Sequence, residues 1–479
     1  MASDHRKEPA PPTRRKWWLA ALLVGFSLLL RLACLTRLEG WHVDEWQYAL
    51  PTAQRLAAGE LLVYIHSTNY GAPIHEAVAA VFFRIFGESL LALRLPNVLF
   101  SSLSVGVSFL LLRRLAPERV AFGIGLLLAA ASSAVMHYGT AAHPVYAVFC
   151  AEIVALQALT WWLDQRRTLA RWLLFGLAAG FATYSLQLAV FQTAVSLLWL
   201  YLRSDHAQRL FVRIREEARP RRRLFLALAF SGTAALVAAP LLYVFLTRRA
   251  DFILTRGHAI GWGMVALLAL VAFGFATAFL RAPARHWIAL IGSGLLFVAV
   301  TQAPLLYYRT VELPRLLAAQ TEVLPQKSYT LKHAHEWPRQ LQLYLDGVFP
   351  ALFLGQYNTL RTEPPSGPPH WPRAIFSLLL LGVLTSGAMQ RVRSGWRPQL
   401  SSPAFVVIAP FFIVSAVLFP SWALFFDMAY RYLIPFLPGF YLLAWHCLKP
   451  WLSPRPRTAI ALLTLTVAYS IADSWLHLR

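Results

Sequence analysis

Residues 17–36, WWLAALLVGFSLLLRLACLT, run on to His42-Val43-Asp44-Glu45-Trp46-Gln47-Tyr48. The first stretch has the roughly 20 apolar residues that a helix needs to cross a bilayer. The second sets two adjacent carboxylates among Trp41, Trp46 and Tyr48. Charge beside a bilayer is costly, so acids at the membrane face that are walled by aromatic rings mark a functional site by default. A span followed at once by such a loop points to a membrane protein with its chemistry at one surface.

Composition agrees. The 479 residues are 58% hydrophobic and only 14% charged, against roughly 25% charged in a soluble domain. The aromatic load of 17 Trp, 17 Tyr and 31 Phe suits a chain with many helix ends at membrane interfaces. Cys34, Cys150 and Cys447 all fall in apolar stretches and form no disulfide or metal framework. The net charge of +22 sits in short connections such as Arg14-Arg15-Lys16, Arg113-Arg114, Arg166-Arg167 and Arg221-Arg222-Arg223. That is the positive-inside pattern, which orients helices and meets anionic lipid headgroups. No nucleic-acid motif accompanies it, so the expected partners include membrane lipids and no nucleic acid.

Membrane-length windows predict thirteen helices, near 17–36, 90–112, 119–136, 144–163, 172–186, 187–202, 224–246, 262–280, 287–306, 374–390, 404–422, 431–447 and 458–473. The chain reads as one integral membrane domain over 1–479, with a cytoplasmic N-terminus and, from the odd number, an external C-terminus. The first span reads as a retained helix, because it is long and no small-residue cleavage site follows. Connections assigned to the cytoplasm hold 27 of the 44 Lys and Arg within 80 residues, as the charge rule requires. Two stretches leave the topology open. Residues 172–202 have only a polar dip at their centre, and 247–261 put Arg248, Arg249 and Arg256 on the outer side.

Two outer loops are long enough to carry a site, 37–89 and 307–373. The first holds two helix-like stretches, Glu45 to Ala58 stopped by Gly59, and Pro73 to Phe86 stopped by Gly87. In the latter Ile74, Val78, Phe82 and Ile85 share a face. That face fits a helix lying in the membrane interface, and equally an amphipathic cap on the bundle. No phosphate loop or dinucleotide fingerprint occurs. Acidic residues are almost absent from span interiors, which argues against an ion-coupled carrier. An enzyme acting at the outer face would most naturally use a substrate that already resides in the membrane.

The order of landmarks then matters. After one span come Asp44-Glu45, Tyr48, the helix end Gln54-Arg55-Leu56-Ala57-Ala58-Gly59, Asn69-Tyr70-Gly71-Ala72-Pro73, Phe86-Gly87-Glu88-Ser89 and Leu93-Arg94-Leu95-Pro96. This resembles the first outer loop of the GT-C fold glycosyltransferases, in the bacterial branch related to protein O-mannosyltransferases and aminoarabinose transferases (glycosyltransferase families 39 and 83). Late in the chain Asp427-Met428-Ala429-Tyr430-Arg431-Tyr432-Leu433-Ile434-Pro435 resembles the same family's Arg-Tyr and Pro helix start. The resemblance implies an all-α polytopic protein of about 13 transmembrane helices, with interfacial helices in the first outer loop. It also implies an enzyme of the bacterial inner membrane, with its site facing the periplasm. Such an enzyme transfers a sugar from a polyprenyl-phosphate-linked donor to a lipid, glycan or protein acceptor.

The residues suit that chemistry. An acceptor hydroxyl must lose its proton as it attacks, and a carboxylate within hydrogen-bond reach can take it. The departing lipid phosphate needs cationic or metal stabilisation. Asp44 is expected as general base, with Glu45 orienting it or helping to hold a divalent metal such as Mg or Mn. Both acids also suit a plain helix start at the positive dipole end. Tyr48, His66, Asn69, Tyr70, His75 and Glu76 are candidate sugar-site residues, and each is also an ordinary loop polar residue. The aminoarabinose branch carries a Glu-Lys pair before the loop proline; here Gly71-Ala72 stands there, and Glu76 is the candidate substitute. The second outer loop offers His137, His143 and Tyr146, with both histidines as candidate metal ligands beside Asp44, or as plain polar loop residues; His333 and His335 are weaker. Arg431 is the candidate for the lipid phosphate, because a guanidinium binds phosphate oxygens in a fork. Its other reading is an interfacial anchor paired with Asp427. Arg248, Arg249 and Arg256 are alternatives. A lipid-linked glycan flippase or a non-catalytic scaffold is the competing function class; a flippase should line an internal path with its charges.

Overall fold

The apolar run that opens the chain folds as helix α1, Arg14–Leu35. The computed structural model describes residues 14–38, 40, 42, 44–65, 71–142, 146–186, 188–203, 212, 216, 220, 284–318, 341, 342, 345, 348–354, 371–393, 402–418 and 431–477. Among these residues every regular element is helical. A wide π-helical turn, Glu45–Ala49, continues into α2, Leu50–Ala57. There follow α3 (Ile74–Phe86), α4 (Leu90–Leu112), α5 (Glu118–Ala129), α6 (Ser133–Tyr138), α7 (Tyr146–Gln165), α8 (Leu169–Ser185) and α9 (Ala189–Leu202). Further along come α10 (Ala284–Tyr307), α11 (Leu313–Ala318), α12 (Phe349–Leu354), α13 (Trp371–Arg393), α14 (Pro403–Leu418), α15 (Leu437–Leu452) and α16 (Pro456–His477).

Eleven of the thirteen expected spans meet one of these helices, while 224–246 and 262–280 lie outside the described residues. Among the described residues, six helices are long and apolar enough by themselves to cross a membrane: Arg15–Leu35, Leu90–Leu112, Tyr146–Gln165, Ile288–Arg315, Trp371–Arg393 and Pro456–Leu476. Two boundaries differ from the expected ones, and the weakly marked one near 186 stands. The span expected over 119–136 stops at Ala129, because Ala130 and Ser132 leave helical geometry before α6 starts. Asp473 of α16 accepts the Ser133 backbone N–H at 2.8 Å, satisfying a donor that a helix start leaves open. The dip near 186 is a true break, with Leu186 extended between α8 and α9. The span expected from 431 starts with a turn and a short 3₁₀ segment, Ile434–Phe436, carrying Pro435; α15 follows with Pro438 in its first turn.

Lipid offers no hydrophobic drive between helices, so close packing and interhelical hydrogen bonds must hold the bundle. Gly176 and Gly180, one turn apart on α8, let α10 come close: a Cβ on Gly176 would collide with the Ser293 backbone oxygen, and one on Gly180 with Val300. Gly387 against Cys447 and Gly439 against Val407 do the same for α13, α14 and α15. Between α7 and α9, Gln157 donates to Gln192 at 2.9 Å and Thr160 to Ser196 at 2.9 Å. Outward-facing Leu379, Ile460 and Leu465 are each more than 60% exposed, which suits a wall in contact with lipid.

The two expected outer loops share one face. The Val63 N–H donates to Glu312 at 3.4 Å, and Tyr64, Tyr184 and Tyr308 pack in one cluster. Arg37 stacks on Trp475 at 3.8 Å, so α16 ends on that face too. The opposite ends of α7 and α9 are joined by Asp164, which meets Arg167 at 3.2 Å and Arg203 at 2.8 Å.

Candidate active site

Glu45 decides how the first loop is held. Its side chain is fully buried and all of its contacts are charge-assisted. Arg94, near the start of α4, grips it in a fork, Nε to Oε1 at 2.7 Å and Nη2 to Oε2 at 2.7 Å. Oε2 also accepts the His42 backbone N–H at 2.8 Å, reaching back three residues as in a capping box. Oε1 accepts the Ala142 N–H at 2.7 Å. Burial pushes the Glu45 carboxyl up, but the Arg94 bonds and charge, with the two backbone donors, hold it below its ordinary value. The same guanidinium donates to Leu38 O at 2.8 Å and Gly40 O at 2.7 Å. Arg94 thus pins Leu38, Gly40 and Glu45 onto α4. Asn97 and Ser101, further along α4, pin 139–141 through Ala141 O and Gly139 O.

With Glu45 turned into this clamp, Asp44 points elsewhere, since successive residues of a helical turn face about 100° apart. Its backbone N–H donates to His42 Nδ1 at 3.1 Å. Its side chain remains 22% exposed, and Oδ2 lies 3.5 Å from Arg431 Nη1. Arg431 is itself 5% exposed and is ringed by tyrosines, with Tyr146, Tyr432 and Tyr138 centroids 5.0, 5.7 and 5.8 Å from its Cζ. The electron-rich faces of those rings favour the cation. Burial and then the Asp44 charge push the Tyr48 phenol above its ordinary value. His42 and His137 stack edge to face at 5.4 Å, joining the first and second loops.

The structure therefore brings together Asp44, Tyr48, Tyr146 and Arg431 from the residues expected in the site. His75 and Glu76 are fully buried under α3. His75 Nε2 bonds to Leu93 O at 3.0 Å, and His75 Nδ1 is 3.4 Å from Glu76 Oε1. His75 thus ties α3 to α4, and Glu76 is buried beside it. His66, Asn69, Tyr70 and His143 lie outside the described residues, as do Asp427, Arg248, Arg249, Arg256, His333 and His335. Arg94, Tyr138 and Tyr432 went unassigned in the sequence. For Arg94 a signal existed, since a lone cation inside an apolar window calls for a buried partner.

A divalent metal fits poorly on the residues described. Asp44 faces a guanidinium rather than further carboxylates, and the Glu45 oxygens are engaged by Arg94 and two backbone N–H groups. Among the described residues no three His, Cys, Asp or Glu side chains converge as a metal cage.

The family model for dolichyl-phosphate-mannose-protein mannosyltransferases matches residues 70–216. The match takes in α3 to α9, with Arg94, Tyr138 and Tyr146, but neither Asp44 nor Arg431. The all-α polytopic membrane class expected from the sequence holds among the described residues, whose regular elements are all helical and include six helices long and apolar enough to cross a membrane. No curated protein matches the sequence. Among solved structures, the Archaeoglobus fulgidus oligosaccharyltransferase AglB in complex with an inhibitory peptide and a dolichol-phosphate is 13% identical. The alignment covers 96% of this chain and 56% of that one, with a TM-score of 0.48. The same enzyme with Zn and sulfate is 14% identical, over 95% of this chain and 53% of that one, at 0.47. ArnT from Cupriavidus metallidurans bound to undecaprenyl phosphate is 18% identical over 91% of this chain and 78% of that one, at 0.32. The chain thus spans a little over half the length of the oligosaccharyltransferase.

Proposed function

We propose that this protein moves a sugar from a polyprenyl-phosphate carrier to a lipid, glycan or protein hydroxyl at the outer face of the bacterial inner membrane. Asp44 is the general base. The single observation that carries this reading is the Asp44–Arg431 pair, a half-buried carboxylate 3.5 Å from a buried guanidinium. The two charges serve opposite ends of one displacement. The acceptor oxygen forms its bond to the anomeric carbon while the bond from that carbon to the phosphate oxygen breaks. The hydroxyl proton passes to Asp44, and the bonding electron pair leaves with the lipid phosphate, whose charge Arg431 offsets.

Glu45 is a positioning residue in this scheme. Held by Arg94 and two backbone donors, it has no oxygen left to act as a nucleophile or metal ligand, and it fixes the turn that presents Asp44. With Asp44 acting as base and Glu45 held in the clamp, the transfer is a single displacement, so the product has the anomeric configuration opposite to the donor's. A match to a protein mannosyltransferase family supports a lipid-phosphate donor, and leaves the sugar and the acceptor to be found by screening labelled donors.

The test is Asp44→Asn, which keeps the side-chain shape and cannot take the proton. Purified beside the wild type, it should lose about 100-fold or more of its sugar transfer from a polyprenyl-phosphate sugar. Transfer at the wild-type rate by a folded mutant removes Asp44 from the role of base. A wild type that moves the lipid-linked sugar across the membrane without transferring it is a flippase.

A further inference from the structure

Arg31 sits near the site-face end of α1 and is 3% exposed. Its Nη1 donates to Ser27 Oγ and to Ala129 O at 3.2 Å, while its Nε has no hydrogen-bond partner. Among the described residues no carboxylate lies within ion-pair distance of it. Desolvating a guanidinium without a counter-charge is strongly unfavourable, so an anion belongs beside it. There is room for one. Arg31 lines a partly open cavity of about 50 Å³ between α1, α4, α7 and the start of α15, with Ser104, Ser108, Tyr138, Tyr146 and Pro435. Gly139 keeps the Nε edge open: a Cβ there would stand 3.0 Å from Nε and 3.4 Å from Nη2.

The walls describe the anion. Arg31 and the α4 serines give the lining its polar groups, and Val105, Leu128, Val154 and Leu437 give it apolar surface. A phosphate carried on a hydrocarbon chain matches both. Tyr138 and Tyr146 line this cavity and also cage Arg431, so the two cations share a tyrosine partition.

We propose that this cavity is a second phosphate subsite, which takes the phosphate and first isoprene units of a polyprenyl phosphate against Arg31. The carrier that has lost its sugar moves from Arg431, past the tyrosines, to Arg31. The choice of a polyprenyl phosphate rests on the transferase reading above; the need for an anion beside Arg31 does not.

The test uses the full chain in detergent micelles, with native mass spectrometry reading the binding of polyprenyl phosphate, polyprenol and phosphatidylglycerol. Arg31→Gln removes the charge and keeps a hydrogen-bonding side chain. Gly139→Ala keeps the charge and fills the space beside it, so it carries the test should Arg31→Gln fail to fold. Each variant should weaken polyprenyl phosphate binding by about tenfold or more and leave the weaker polyprenol binding unchanged. Wild-type affinity in Gly139→Ala and in any folded Arg31→Gln overturns the subsite. Equal, Arg31-dependent affinity for phosphatidylglycerol overturns the assignment to the carrier. A wild type that binds polyprenyl phosphate through Arg31 yet transfers no sugar keeps the subsite and sinks the transferase. One that transfers sugar while both variants bind normally does the reverse.

Discussion

At the scale of single residues, adjacent acids have opposite fates because the helical turn separates them. Glu45 is buried in an ion pair, so removing one partner strands the other without water. Glu45→Ala should cost about 3–5 kcal/mol, read as a fall in unfolding temperature in detergent. Asp44→Asn, at a partly exposed position, should unfold with the wild type. The pair also has a pH signature. Its folded carboxyl titrates below the ordinary value, so its stabilisation is complete above about pH 4.3 and is lost as pH falls through the lower folded value. Hydrogen exchange at 38–45 should therefore stay slow from neutral pH down to that point; opening near pH 6 would contradict the clamp. Asp44 and Arg431 were legible from their membrane address. Arg94 was legible only as a landmark, because its partners lie at 38, 40 and 45, and sequence distance hides them.

Among the elements, apolar length located the spans well, since a bilayer demands roughly 20 residues of any helix. The break at 130–132 was hidden. Ala129-Ala130-Ala131-Ser132-Ser133 is compatible with a continuous helix, and the carboxylate that caps α6 comes from Asp473 in the last helix. The face of α3 was legible but its direction was not. The buried residues are His75, Glu76, Ala79, Ala80 and Phe83, while Val81, Ile85 and Phe86 are exposed, as on a helix bedded in the interface. The contact of α8 with α10 is the most sensitive to side-chain size. Gly176→Leu should push the helices apart and lower stability by about 1–3 kcal/mol, measured by thermal unfolding, with little effect from Gly382→Leu, where a Cβ meets nothing within 4 Å.

For the whole molecule, the site works only if loops 37–89 and 307–373 lie on one side and the basic turns on the other. A cysteine at Glu60, on the exposed end of the first loop, should react with an impermeant thiol reagent added to intact cells. One at Arg166 should react only after lysis; the opposite pattern reverses the topology. Cys34 and Cys447 are buried and Cys150 is partly so, which keeps the background low. The sequence by itself determined that this chain is a polytopic helical membrane protein, where most of its spans run and which loop carries the acids. Those properties follow from hydropathy and charge, which are local and which the bilayer reads directly. Only the tertiary structure decided that Glu45 serves Arg94 while Asp44 meets Arg431, residues 387 positions apart. It also decided that Arg31 faces a cavity. Those outcomes depend on which helices pack side by side, and in lipid that choice is made by close-fitting glycines and buried polar pairs rather than by hydropathy.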